Sequence, residues 1–146
     1  MDILSKFGEN FAELIFDANL TPEALSQAVG IDRSMIYRYL RREYLPTLAH
    51  AVAIADLLQC SLDFLFGLSE VNLKVSYLPA PPFCERFRAL LAQKGVSRYR
   101  LCREIAVSPQ SADDWYHGRR TPGVESALVL ARYFDLTLDE LLGREK

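Results

Sequence analysis

Apolar residues fall at helical spacing over most of the chain. Phe7, Phe11, Leu14, Ile15 and Ala18 form one stripe, and Leu48, Ala51, Val52, Ala55 and Leu58 form another. Helix starts are marked too. Thr21 before Pro22 sets a capping hydroxyl ahead of a proline at the first helical position, and Asp32 is expected to cap the next helix. Ser97, Ser108 with Pro109, and the box Thr137 with Glu140 give the same signals later in the chain. Five short helices are predicted over 3–19, 22–29, 33–41, 47–58 and 62–67, followed by the same set 76 positions further on.

That second set follows from a repeat. At an offset of 76 without a gap, positions 7–70 and 83–146 share 12 identities, among them Phe7/Phe83, Phe11/Phe87, Leu25/Leu101, Pro46/Pro122, Ala55/Ala131 and Gly67/Gly143. The shared positions are apolar or turn-forming, the kind that fix a fold. The chain is therefore read as all-α, with a first domain over 1–70, a linker over 71–82 and a second domain over 83–146. In the linker, Val71 to Tyr77 alternates apolar and polar before a proline-rich end. A stiff spacer is the plain reading and a short strand pairing with a partner chain the sharper one.

Within the first copy, a capped helix ends at Val29, Gly30 permits a tight turn, Ile31 tucks in, and a new helix begins after Asp32. This is a helix-turn-helix, which sets its second helix proud of the core. On that helix Ile36, Tyr39 and Leu40 form the inner stripe; Ser34, Tyr37, Arg38 and Arg41 form the outer one, with Arg33 beside it. An outer face of this kind fits a major groove, where arginine bonds a guanine edge or a phosphate. Trp115, Ala112 and Tyr116 repeat the inner spacing and are expected in the second core.

Composition adds little until it is divided. The 146 residues are 50% hydrophobic and 25% charged with a formal net charge of −2, as in ordinary globular proteins. Residues 1–70 hold five Lys/Arg against ten Asp/Glu, yet four of the five, Arg33, Arg38, Arg41 and Arg42, crowd the outer helix. Residues 83–146 hold eleven bases against nine acids. A cationic ridge on an acidic body is an electrostatic footprint for a polyanion. Cys60, Cys84 and Cys102 are odd in number with no CxxC spacing, so free thiols and a cytoplasmic location are expected, without a disulfide framework or zinc site. His50 and His117 have no partners at ligand spacing, and no metal or cofactor is implied. No run approaches a membrane span, no secretory leader is read at the start, and no nucleophile motif or phosphate-cradling loop appears, so an enzyme is not expected.

With Leu48 to Leu58, then Cys60-Ser61-Leu62-Asp63-Phe64-Leu65-Phe66-Gly67, the first copy resembles the Cro and lambda-repressor type of helix-turn-helix domain, the Xre family. In the second copy the matching stretches are Trp115 to Pro122 and Leu136 to Gly143. The resemblance implies two five-helix, lambda-repressor-like domains and a transcriptional regulator, a repressor by expectation, that binds specific double-stranded DNA. Base-reading positions of the family map onto Arg33, Ser34, Tyr37 and Arg38, and in the second copy onto Pro109, Gln110, Asp113 and Asp114. Phosphate contacts map onto Pro22, Arg41 and Arg42, then onto Arg98, Arg119 and Arg120. Pro22 has no N–H to donate, and Asp113 and Asp114 bring negative charge to the second reading face. Those departures keep a protein-interaction or antitoxin-like module as the alternative. Two heads on one chain can serve two half-sites; a homodimer reading with the first copy alone is the rival arrangement.

Overall fold

A computed structural model describes residues 2–72 and 77–145, and the chain divides into two compact units, Met1–Tyr77 and Leu78–Lys146. Every element among the described residues is a helix. The first unit holds α1 (Ile3–Asp17), α2 (Pro22–Val29), α3 (Arg33–Leu40), α4 (Leu48–Leu58) and α5 (Leu62–Leu65). The second holds α6 (Phe83–Lys94), α7 (Arg98–Glu104), α8 (Pro109–His117), α9 (Val124–Phe134) and α10 (Leu138–Leu142). The strand considered over Val71–Tyr77 falls largely on residues 73–76, outside the described residues.

Caps set most of the helix starts. Thr21, Thr47, Ser61, Ser97, Ser108 and Thr137 each accept from a backbone N–H in the first turn, and Thr137 and Glu140 close a reciprocal capping box. Asp32 departs from this pattern. Its side chain makes no capping bond and instead accepts from Ser34 Oγ at 2.9 Å.

In the first unit Phe7 and Phe11 stack at 5.5 Å, and Phe7 meets the edge of Tyr39 at 5.9 Å. Leu25, Ile36, Ile54, Leu62 and Leu65 close around them, all fully buried. Each such side chain contributes about 1.5–3 kcal/mol over leaving it in water. The second unit repeats the arrangement, with Phe83 on Phe87 at 5.7 Å and Phe87 edge-on to Trp115 at 6.0 Å. Leu40 and Tyr116, expected inside, are only half-buried.

The backbone carries the repeat as well as the side chains do. Left-handed residues recur at the same offset: Asn19 with Gly95, Arg42 with Gly118, Gln59 with Asp135, and Gly67 with Gly143. Gly30 (φ 70°) has no such twin, because its counterpart is Ala106. There α7 stops at Glu104 and Ile105 is extended, with φ −133°, so the second turn takes a different path.

The second unit also takes in residues 78–82, which the sequence reading assigns to the linker. Leu78 N–H donates to Arg144 O at 2.7 Å. Pro81 lies against Gly143, where a Cβ would come within 3.0 Å of its Cδ. Arg144 in turn pairs with Asp139 inside the unit, both almost wholly buried.

Candidate nucleic-acid interface

In the first unit the turn between α2 and α3 is held from three sides. Gly30 adopts the left-handed conformation that caps α2, Ile31 is buried, and Ser26 Oγ donates to Ile31 O. Ile36 and Tyr39 then anchor α3 in the core, and the Tyr39 hydroxyl meets His50 Nδ1 at 2.7 Å. His50 is thus half-buried and engaged with α3 instead of lying idle on the surface of α4.

With its inner face fixed, α3 turns Arg33, Ser34, Arg38 and Arg41 outward, with Tyr37 half-buried between them. These five, together with Glu23 and Asp32, line one open depression. Tyr37 donates its hydroxyl to Glu23 Oε1 at 2.6 Å. That bond holds the Glu23 carboxyl below its ordinary range and raises the phenol of Tyr37. The Arg38 guanidinium lies 5.8 Å from the centre of the exposed Tyr44 ring. Neither Arg33 nor Arg38 forms an ion pair among the described residues. Arg41 is bonded to both oxygens of Glu43 at 3.2 and 3.3 Å.

Arg42, mapped to a phosphate contact, stands off the reading stripe. Its backbone is left-handed (φ 62°), its stem rests on Gly8, and its Nη2 stands 3.3 Å from Glu9 Oε1. A Cβ at Gly8 would fall 2.5 Å from Arg42 Cγ, so a residue without a side chain is what admits the arginine there.

The second unit treats its equivalent residues differently. Pro109 opens α8 and Gln110 is exposed, but Gln110 Nε2 donates back to Asp114 Oδ1 at 3.0 Å. Asp113 keeps a half-exposed side chain and accepts from Arg98 at 2.9 Å. The same arginine lies 4.0 Å over the Tyr116 ring, with Nη1 3.4 Å from His117 Nε2.

Asp114 requires a correction. It is not on the reading face but turned inward, its side chain only 10% exposed, bonded by Arg119 Nε and Arg120 Nε at 2.9 Å each. The chain doubles back at Gly118 (φ 75°), which brings both arginines onto the last turn of α8, and the N–H of Arg119 donates to the Asp114 carbonyl as well. The Arg119 bond is the main reason its carboxyl stays below the usual range, with Gln110 and Arg120 adding to it. Arg119 and Arg120 therefore neutralise their own unit's acid while keeping more than half of their side chains exposed.

Two participants escape sequence inspection. Glu23 reaches α3 only because the turn folds α2 across it, 14 residues from Tyr37. Arg88, on α6, donates to Tyr116 O at 2.7 Å and stands 5.7 Å over its ring, bracing the helix that carries Asp113. Only the tertiary fold makes either visible.

An exposed helix set across a tight turn, cationic in the first unit and internally neutralised in the second, belongs to a tandem helix-turn-helix protein. Residues 15–65 match the helix-turn-helix family and residues 86–146 match the Cro/C1-type HTH DNA-binding domain. The chain carries two such domains in tandem, and DNA-binding regulation of transcription is the function they support. Over 64 residues, 44% of this chain, it is 30% identical to the HTH-type transcriptional activator BcrR of Enterococcus faecalis, and the match spans 31% of that relative. No solved structure matches the chain. Among the described residues, no helix is long and apolar enough to cross a membrane.

Proposed function

We propose that the chain is a non-enzymatic, cytoplasmic regulator that binds specific duplex DNA, the first unit reading bases and the second gripping the backbone. One observation carries this division. On α3, Arg33 and Arg38 are exposed and, among the described residues, committed to no carboxylate, whereas Arg98, Arg119 and Arg120 of the second unit are each paired with an acid. Uncommitted guanidinium groups on a protruding helix are available to a guanine edge; paired ones still offer partial charge to phosphates. Selection of binding sites from random duplex DNA by the intact chain tests it. A defined consensus that Arg33→Ala and Arg38→Ala degrade is expected, and enrichment of no sequence would overturn the reading.

Repression is the direction we assign, since occupying a promoter is sufficient to block it. The matched relative is named an activator, so transcription in vitro from a promoter carrying the selected site decides the sign. A rise in transcript on adding the protein would reverse the assignment. The internally neutralised face of α8 favours a second reading, in which the second unit binds protein, its own copy included. Salt separates the two. Phosphate contacts weaken steeply as salt rises, at a logarithmic slope of about −0.9 per phosphate. A slope unchanged by Arg98→Ala or Arg119→Ala would place the second unit off the DNA.

A further inference from the structure

We propose that Tyr37 reads DNA as a hydrogen-bond acceptor only and that Glu23 makes it so: the pair selects a base carrying a major-groove amino group, cytosine or adenine, at the position facing Tyr37. The inference rests on the reading above, in which α3 contacts base edges.

A phenol has one proton to donate and oxygen lone pairs to accept with. In this protein the proton is directed at Glu23 Oε1 across 2.6 Å, within the range of a charge-assisted bond to a carboxylate. Glu23 is kept ionised by that bond and, to a lesser degree, by the charge of Arg33 in the same depression. What the hydroxyl has left for a ligand is an acceptor. In the major groove only the N4 amino group of cytosine and the N6 amino group of adenine donate; guanine N7 and O6 and thymine O4 accept. A guanine or thymine at this position would set acceptor against acceptor beside a carboxylate. The device belongs to the first unit alone, because the equivalent residues of the second are Tyr99 and Asp113, and that acid is taken by Arg98.

The test compares the intact wild-type chain with Tyr37→Phe and Glu23→Ala on the selected site and all its single-base variants. At one position the wild type should prefer adenine or cytosine over guanine and thymine by roughly 2- to 10-fold, the reach of one net hydrogen bond. Tyr37→Phe should level that position. Glu23→Ala should free the hydroxyl to donate, bringing guanine or thymine within about 2-fold while other positions keep their preferences. A general rise in affinity from removing an acid next to phosphates is also expected and is separable, because it is equal on all sequences. Titration of the phenol in the free protein checks the pair without DNA: Glu23→Ala should bring Tyr37 down towards its ordinary value. Glu23→Asp, too short to reach the hydroxyl, replaces the alanine variant should thermal unfolding show that it is damaged. A guanine or thymine preference at the Tyr37-dependent position would overturn the inference, as would a position that Tyr37→Phe shifts and Glu23→Ala leaves unchanged. If no sequence is enriched, the DNA reading falls and takes this with it; if a consensus emerges that neither substitution moves, only the pair's role is lost.

Discussion

Replacing Arg42 with glycine separates what this residue does for the fold from what it does for DNA. Arg42 holds a left-handed backbone (φ 62°) at the position where the second unit has Gly118 (φ 75°). A left-handed conformation costs a residue with a side chain about 1–2 kcal/mol. Glycine removes that strain but adds about 0.4–1 kcal/mol of chain entropy to the unfolded state. The pair with Glu9 is also lost, but with side chains 46% and 40% exposed it is worth only about 0.2–1 kcal/mol. These contributions nearly cancel, so Arg42→Gly should change stability by no more than about 1.5 kcal/mol in either direction. DNA binding should fall nonetheless. One phosphate contact fewer makes the salt slope shallower by about 0.9, with equal loss on every sequence. Urea unfolding gives the first quantity; titrations of the selected site and of an unrelated duplex at several salt concentrations give the second. A stability loss above about 2 kcal/mol would show that the Arg42 stem on Gly8 holds the fold itself. An unchanged slope, or an altered base preference, would refute the phosphate role.

Three further outcomes are expected. Arg38→Ala should relax base preference at one position by about 1–3 kcal/mol of discrimination, read on single-base variants of the selected site; equal loss on all of them would remove its reading role. Gly30→Ala should destabilise the first unit by about 0.5–1.5 kcal/mol, the left-handed backbone outweighing the chain entropy lost from the unfolded state, since beyond its chain neighbours no atom lies within 4 Å of the added Cβ; an unchanged urea midpoint would contradict this. Asp114→Asn should cost stability at neutral pH, with the gap to wild type narrowing in acid. The folded carboxyl lies below its unfolded value near about 4, so its contribution is present above that pH and is lost as pH falls through the lowered folded value. A gap that stays constant from pH 7 to pH 2 would show that the carboxylate charge is not what holds Arg119 and Arg120.

Periodicity and caps were enough to place most of the helices, because the signals are local; the repeat offset carries the first helix of the second copy back to 79, but Pro79, Pro81 and Pro82 hold the start of α6 to Phe83. Thr21 before Pro22, Ser108 before Pro109 and the Thr137–Glu140 box act within one turn, and α2 and α8 begin where those residues put them. The repeat strengthened the reading, since aligned pairs such as Phe11/Phe87 and Tyr39/Trp115 had to fill equivalent core positions, and they do. The outward stripe of α3 was legible for the same reason: once Ile36 and Tyr39 are inside, helical geometry turns Arg33, Ser34 and Arg38 out. The partners of those outward residues were not legible. Asp114 maps onto a reading position, that of Arg38, and only the return of the chain at Gly118 decides that its carboxylate meets two arginines instead of solvent. Glu23 looks like an ordinary acid in the first turn of α2 until the turn at Gly30 lays that helix across Tyr37. Residues 78–82 read as spacer because proline ends helices, yet the Leu78 bond to Arg144 fastens them to the second unit. Local chemistry follows from neighbours in the chain, and the sequence shows those. Which groups meet, across 14 residues for Glu23 and Tyr37 and 66 for Leu78 and Arg144, depends on where the core sets each helix, and that only the tertiary structure decided.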